Sequence, residues 1–382
     1  MANENAERLK RLQAEPLERK IMITQARIIE WYEHFDGKVY LSFSGGKDSS
    51  VLLGIAREIY PDIPAVFVNT GLEYPEIRKF ALSHENVEEL RPRWGRAAKK
   101  NGKRPEDVIS FMDTLKRYGY PVISKAVSNA IGESRSTPGG SRWARLHAEY
   151  KRRDGGRSQY DYSKYLPLFN APFKISDKCC QIFKKGPAHI FQHQTGRQPI
   201  IATMTEESLI RKQAWLTQGG CNAFNARIPV SKPMSFWTEQ DVLHYITYYN
   251  RPLCSVYGEI VVVGKGGLEY PAQGNPLLSE LNSKAPLRCT GCERTGCIFC
   301  AFGLHLERGE TRFQRLKHTH PQPYEFCIDG GEWARNPDYD PAASAAAWNP
   351  RQIWQPSKKG LGMGKVFDMV NEIYGKDFIR YE

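Results

Sequence analysis

The chain has 382 residues, of which 41% are hydrophobic and 25% charged, and its 54 Lys and Arg against 42 Asp and Glu leave a formal net charge of +12. That length holds two or three domains with a substantial core, and the composition is that of an ordinary globular protein. No run of 18 apolar residues occurs, which excludes a hydrophobic membrane span, and the basic balance favours anionic partners such as a nucleotide or nucleic acid.

The opening MANENAERLKRLQAEPLERKIMIT carries both signs of charge and lacks the apolar core of a signal peptide, so a cytoplasmic location is expected. Leu9, Leu12 and Leu17 recur at helical spacing and predict a surface helix in an N-terminal helical segment, residues 1–36. Next comes VYLSFSGGKDSSVLL, residues 39–53, which reads as strand, glycine corner and helix. Val39, Leu41 and Phe43 alternate with Tyr40 and Ser42 as in a half-buried strand. Gly45 and Gly46 let the backbone turn sharply and come close to a ligand. A helix entered this way offers unpaired N–H groups and a partial positive charge, which suits phosphate. Lys47 adds a mobile charge, Asp48 sits in the first turn, and Ser44 and Ser49 add hydroxyls. The plainer reading is an ordinary strand–turn–helix corner. The GxxxxGK(S/T) loop of common NTPases is absent, because this lysine precedes an aspartate.

PAVFVNTGLEYPEI, residues 64–77, repeats the pattern: a short apolar strand, a polar corner at Gly71, and an acidic helix entry. Strands alternating with helices imply a parallel sheet covered on both faces, with ligands outside the carboxyl ends of its strands. Both corners are therefore expected to face one crevice. Residues 91–104 hold seven cations, Arg91, Arg93, Arg96, Lys99, Lys100, Lys103 and Arg104, and no acid. Residues 141–165, from Ser141, interleave Arg142, Arg145, Lys151, Arg152, Arg153 and Arg157 with Trp143, Tyr150, Tyr160, Tyr162 and Tyr165. Cations neutralise phosphates and aromatics stack on unpaired bases, so both runs are candidate nucleic-acid surfaces, or else solvated segments. PIIATMTEESLIRKQAWL, residues 199–216, gives a further strand, corner and helix. In SKPMSFWTEQDVLHYI, residues 231–246, Thr238 caps a structural helix, with Asp241 completing a capping box. From about Arg251 the chain turns rich in Gly and Pro, and a smaller module is expected to begin.

The nine cysteines are an odd number whose spacing points to metal or catalysis rather than disulfides. CTGCERTGCIFC sets Cys289, Cys292, Cys297 and Cys300 within twelve residues, and two C-x-x-C turns can close a tetrahedral four-thiolate site, which by spacing alone favours zinc. Unliganded thiols are the alternative. Cys179 and Cys180 are adjacent, Cys221 and Cys254 read as buried thiols, and Cys327 is either a nucleophile or persulfide carrier or a buried inert thiol.

SFSGGKDS resembles the SGGxDS signature of the PP-loop family, which includes relatives of the ATP pyrophosphatases and the sulfonucleotide (PAPS and APS) reductases. The resemblance implies an adenine nucleotide alpha hydrolase-like fold. That is an α/β, doubly wound, mostly parallel sheet over residues 37–250, with a basic aromatic insertion at about 133–170. A cysteine-rich module at 251–335 and a tail at 336–382 would follow. It also implies that Ser44, Gly45, Gly46, Lys47, Asp48 and Ser49 hold the phosphates of a nucleotide, ATP with Mg²⁺, with Lys47 and Asp48 catalytic. NTGLEYPEI looks like the family's second nucleotide corner, bringing in Thr70, Gly71 and Glu73. Glu207, Ser208 and Arg211 align with the end of a G-x-R-x-x-E-S-x-x-R element, although its glycine and first arginine are absent from ATMTEES. KCCQIFKKGP (residues 178–187) and TGCIFCAFG are similar to the cysteine elements of reductases that carry a 4Fe–4S cluster. By that likeness Cys179, Cys180, Cys297 and Cys300 are the ligands, zinc is the lesser alternative, and Cys289 and Cys292 are a departure that can replace a member of the adjacent pair. Lys184 and Lys185 would lie near phosphates or cluster, or on the surface.

The expected function is an ATP-using enzyme that adenylates a substrate, releases pyrophosphate and supports sulfur transfer, with nucleic acid as a candidate acceptor. A sulfur-donor or thioredoxin-like protein is a candidate partner. The first alternative is a sulfonucleotide reductase. Those enzymes resemble one another in an E-C-G-L-H tail, of which FGLHLE at residues 302–307 echoes only GLH. The second alternative is a nucleotide-sensing or nucleic-acid-binding subunit without turnover.

Overall fold

The computed structural model describes residues 2–151, 155, 156, 158, 160–344 and 347–382. The described chain divides into two compact units, residues 1–91 with 186–296, and residues 92–185 with 297–382. Arg152, Arg153 and Arg157 of the basic aromatic run lie outside the described residues.

The first unit is built on strands β1 (Val39–Ser42), β2 (Ala65–Val68), β3 (Val87–Leu90), β4 (Gln198–Ile201), β5 (Asn222–Ala223) and β6 (Val230–Ser231). They line up in the order β3-β2-β1-β4-β6-β5, and every neighbouring pair is parallel except β5 with β6. This is the α/β, mostly parallel sheet expected. The half-buried alternation expected of β1 does not occur: Val39, Tyr40 and Leu41 are all buried. As a central parallel strand β1 has helices on both faces, so no position along it can stay polar without a partner.

The helix Lys47–Ile59 buries Val51, Leu52, Leu53, Ile55 and Ala56 against the sheet. The expected N-terminal helix is two, Ala2–Ala14 and Leu17–His34, and their apolar faces join the core through Leu9, Leu17, Ile21, Ile28 and Trp31. Thr238 caps the helix Glu239–Tyr248 with Asp241 in a complete capping box, as its sequence predicts. Asp241 also accepts from the buried Lys20 Nζ at 2.7 Å, which ties that helix to Leu17–His34.

Residues 251–296 add a three-stranded antiparallel sheet, β7 (Ile260–Val263) between β8 (Glu269–Pro271) and β9 (Leu287–Cys289). The cysteine-rich stretch therefore does not stay together as one body. Its first part belongs with the parallel sheet, and the division falls between Gly296 and Cys297, inside CERTGC.

The second unit is mainly helical, with Phe111–Tyr118, Lys125–Ser136, Arg312–Thr319, Pro321–Ile328 and Met363–Tyr374 around Tyr120, Phe173, Phe313 and Phe367. A hairpin of β10 (Glu332–Arg335) and β11 (Gln352–Gln355) completes it. Arg135 is enclosed here and donates to the carbonyls of Leu168, Phe169, Ala171 and Phe173 at 2.7 to 3.1 Å, beneath the Trp348 ring. A buried guanidinium is tolerable only when its donors are met, and these four carbonyls meet them. Part of the expected insertion is thereby fastened to the unit. Among the described residues, no helix is long and apolar enough to cross a membrane.

Candidate functional site

The strand order reverses between β1 and β4, and the crevice of such a sheet opens outside the carboxyl ends of those strands. The loop after β1 and the corner after β4 meet there. Ser44, Gly46, Lys47, Asp48, Met204 and Glu207 line a cleft of about 160 Å³ with Glu206, Glu239, Tyr257, Glu293, Arg294 and Thr295.

The loop has the form its glycines require. Gly45 takes φ +71°, in the left-handed region, and Gly46 then precedes the first turn of the Lys47–Ile59 helix. Hydroxyls occupy its polar groups. The Ser44 amide donates to Ser49 Oγ at 3.2 Å, the Gly46 amide to Ser44 Oγ at 3.3 Å, and the Lys47 amide to Tyr257 Oη at 3.2 Å. Lys47 is 5% exposed, and its Nζ meets the Glu239 carboxylate at 2.6 Å and the Glu293 carbonyl at 2.5 Å. Asp48 differs: its Oδ1 is enclosed and has no hydrogen-bond partner. Burial pushes that carboxyl above the usual carboxylate range, and Lys47, Arg294 and Arg211 pull against it.

Glu207 accepts from the Met204 amide at 3.0 Å and pairs with Arg211, one turn into the helix Leu209–Gln218. Partial burial, and then the nearby Arg294, hold the Arg211 guanidinium below its ordinary value. Lys232 is likewise lowered by burial and by Arg211.

Thr70, Gly71 and Glu73 follow β2, which runs parallel to β1 on the side away from β4, and they are not among the residues lining this cleft. The Glu73 carboxylate accepts from Thr70 N at 3.0 Å and Thr70 Oγ1 at 2.6 Å, closing its own turn.

All nine cysteines are thiols. In the second unit Cys179, Cys180, Cys297 and Cys300 are near enough for their charges to interact. A hydrogen bond from Cys179, helped by Lys125 and Lys184, holds Cys180 below the ordinary thiol value, and the same bond pushes Cys179 up. Among the described residues no group of three or more His, Cys, Asp or Glu is drawn close enough to hold a single ion. Cys289 and Cys292 are buried in the first unit, Cys289 within electrostatic reach of Lys47, Glu239 and Asp48. Cys221 and Cys254 are buried, as expected.

Cys327 does not suit the nucleophilic role. It is 0% exposed, its Sγ lies 3.4 Å from Met363 Sδ, and burial pushes the thiol well up, the reverse of what a reactive cysteine needs.

The basic runs are partly engaged within the protein. Arg91 pairs with Glu89 and Arg104 with Asp107, while Arg145 lies against the rings of Tyr150 and Tyr160 at 5.0 and 4.9 Å. Trp143 stacks on His147 at 3.7 Å.

Residues 38–118 match the family model of the phosphoadenosine phosphosulfate reductase domain. Over these residues the chain is similar to a PAPS reductase domain. Two uncharacterized proteins of Methanocaldococcus jannaschii are 33% identical over 75 residues and 35% identical over 92. These matches span 19% and 24% of this chain and only 18% and 17% of the relatives. Among solved structures, the PAPS reductase of Candida auris in complex with phosphate is 14% identical, with 61% of this chain and 82% of that chain covered and a TM-score of 0.34. The FMN adenylyltransferase of Candida glabrata is 12% identical, with 74% and 78% covered and a TM-score of 0.32. The PAPS reductase-like match covers β1, its loop, β2 and β3, and leaves out the parts of the cleft after β4 and in residues 293–295. Sequence reasoning missed Tyr257, Glu293, Arg294 and Thr295, and the available signal was the glycine-bearing CTGCERTG run, read only for its thiols.

Proposed function

We propose that this chain binds ATP with Mg²⁺ at residues 44–49, adenylates a substrate oxygen with release of pyrophosphate, and supports sulfur transfer to that substrate. The supporting observation is the loop after β1. A left-handed glycine, a helix N-terminus and the buried cation Lys47 sit together at the reversal of strand order.

The substrate oxygen attacks the α-phosphorus, the bond to the bridging oxygen breaks, and pyrophosphate leaves with the electron pair while the proton passes to solvent. Sulfide as HS⁻ then attacks the adenylated carbon, the C–S bond forms as the C–O bond breaks, and AMP leaves with the electron pair. The loop amides and Lys47 would carry the charge growing on the leaving phosphates, and the fixed corner would hold them in line. The unpartnered Oδ1 of Asp48, with Glu239 beside it, suits a hard cation, and these two would hold Mg²⁺. When bound, that ion supplies charge neutralisation on the phosphates. The neighbouring thiols Cys179, Cys180, Cys297 and Cys300 suit a 4Fe–4S cluster, with zinc as the lesser choice. A cluster there supplies electron-transfer or sulfur chemistry, while Lys125 and Lys184 favour the ionised form of Cys180 that a metal takes. The net charge of +12 supports nucleic acid as the acceptor class, and a sulfur-donor or thioredoxin-like protein as the partner completes the reading.

The test supplies the full chain with Mg·ATP, pooled cellular nucleic acid and sulfide, and in parallel with PAPS and thioredoxin. The expected result is ATP-dependent pyrophosphate release, lowered by about 10- to 100-fold in Lys47→Ala because a charged hydrogen bond to the phosphates is lost. Sulfite from PAPS would establish the reductase instead, and ATP binding without pyrophosphate release a non-catalytic subunit.

A further inference from the structure

The first unit contains a feature that the loop reading leaves unused. Residues 293–295 lie across the phosphate seat and satisfy the groups a phosphate would need. Glu293 gives its carbonyl to Lys47 Nζ at 2.5 Å, and Thr295 Oγ1 is 2.6 Å from Tyr257 Oη, which in turn accepts from the Lys47 amide. The Tyr257 ring also lies 5.4 Å from Lys47 Nζ. The seat is therefore filled by protein acceptors.

The run is held in place from behind. Thr290 N donates to Glu259 O at 2.9 Å, Gly291 N to Tyr257 O at 2.8 Å, and Cys292 N to Val256 O at 3.0 Å. This pairing is so close that a Cβ on Gly291 would stand 2.5 Å from Val256 O. From this fixed base only residues 293–295 reach forward. Between the two that touch the loop's partners lies Arg294, which lines the cleft and has no hydrogen-bond or ion-pair partner among the described residues.

The charges around Arg294 show what it meets. Its guanidinium is within electrostatic reach of Arg211, and Arg211 of Lys232; Arg211 pairs with Glu207 and Lys47 with Glu239, which leaves Arg294 as the cation lining the cleft without an acid partner among the described residues. Gathering like charges in a partly buried place is unfavourable, and an anion bearing several charges removes that cost. A single phosphate at the loop would take Lys47. Arg294 and Arg211 add guanidiniums, the group that pairs with phosphate through two parallel bonds.

We propose that residues 293–295 form a strap that closes the phosphate seat and, when two linked phosphates enter, frees Lys47 Nζ from the Glu293 carbonyl and the Lys47 amide from the Tyr257 hydroxyl that Thr295 holds, and places Arg294 on the incoming anion. The proposal rests on the nucleotide reading of the loop and names how that site is gated and which further residue grips the ligand. Two linked phosphates come either with intact ATP or as pyrophosphate, and AMP lacks them.

The strap predicts opposite effects from two neighbouring substitutions. Tyr257→Phe removes the hydroxyl that occupies the Lys47 amide, so Mg·ATP and pyrophosphate should bind about 3- to 10-fold more tightly. Arg294→Ala removes a grip and no existing contact, so both should bind about 10- to 100-fold more weakly, AMP should be unaffected, and Arg294→Lys should recover part of the loss. Calorimetric titration of the full chain with Mg·ATP, pyrophosphate and AMP measures all of these, alongside the circular dichroism of each variant. Should Arg294→Ala fold poorly, Arg294→Gln makes the same test. Arg294 variants that bind like the parent chain overturn the grip, and Tyr257→Phe binding that is unchanged or weaker overturns the closure. If only Mg·ATP responds, the ligand is the intact nucleotide, and if pyrophosphate responds equally, the strap grips the two phosphates wherever they come from; either supports the proposal. A parent chain that binds neither Mg·ATP nor pyrophosphate overturns the nucleotide reading itself, and the strap with it.

Discussion

Asp48 carries a carboxylate oxygen that has no hydrogen-bond partner among the described residues, at the mouth of a helix that favours negative charge. An enclosed, unpaired acceptor costs roughly 1–3 kcal/mol of stability, and the proposed cation would meet it. Asp48→Asn relieves the buried charge and removes the anionic ligand for a cation. Melting without ligand should therefore rise by about 2–4 °C for each kcal/mol relieved, while Mg·ATP affinity falls. Thermal melts with and without Mg·ATP check both signs, and a fall in both would mean that Asp48 is a structural acid. Cys327 gives the contrasting case. It is packed against Met363 with no opening, so Cys327→Ser buries a hydroxyl without a partner and should cost about 1–3 kcal/mol in denaturant unfolding while nucleotide binding stays unchanged. Loss of pyrophosphate release with stability intact would restore Cys327 as a nucleophile. From sequence, this thiol in HTHPQPYEFCIDGG could be read either way, because reactivity is set by enclosure, and enclosure comes from Tyr120 and Met363, far away along the chain.

The turn after β1 separates two glycines that look equivalent as letters. Gly45 lies at φ +71°, and a Cβ there would be 3.0 Å from the Ile77 carbonyl. Gly46 has φ −78°, and its added Cβ would meet only the Tyr257 and Ser44 hydroxyls and Thr295 Oγ1, at 3.1 to 3.4 Å. Gly45→Ala should therefore cost about 1–2 kcal/mol in backbone strain alone and displace the loop, lowering stability and ATP affinity together. Gly46→Ala should keep most of the stability, and equal losses at both positions would contradict this account. The loop, its helix and the Thr238–Asp241 cap were legible in the sequence because each is a local pattern read within a few residues. The full burial of β1 was not legible, since alternation along a strand does not say that its neighbours are parallel and covered. The part of the cleft after β4 was hidden for a related reason: it depends on β4, more than a hundred residues later, pairing with β1.

Across the whole molecule, the cysteines show how spacing and topology can point to different answers. Cys289, Cys292, Cys297 and Cys300 form one compact run in sequence, and that run alone would close a four-thiolate site. The chain instead divides within it. Cys289 ends β9, where it pairs with Ile260 of β7, and Cys292 is bonded through its amide to Val256, so both are fixed as parts of the first unit. Cys297 and Cys300 belong with Cys179 and Cys180, at the start of a helical turn that also brings Lys184 to Cys180. Four thiols from two distant segments of one unit are the proposed donor set of an iron–sulfur cluster, and on that proposal loss of any one should reduce its retention. Iron and sulfide content of the full chain, purified without oxygen, should thus fall sharply in Cys180→Ser and in Cys297→Ser. It should remain at the parent level in Cys289→Ser and Cys292→Ser, which also keep the backbone bonds that anchor the strap. If the pattern reverses, with iron or zinc lost in Cys289→Ser and kept in Cys180→Ser, the sequence run is itself the metal site. If all four variants lose metal equally, both pairs contribute to its retention.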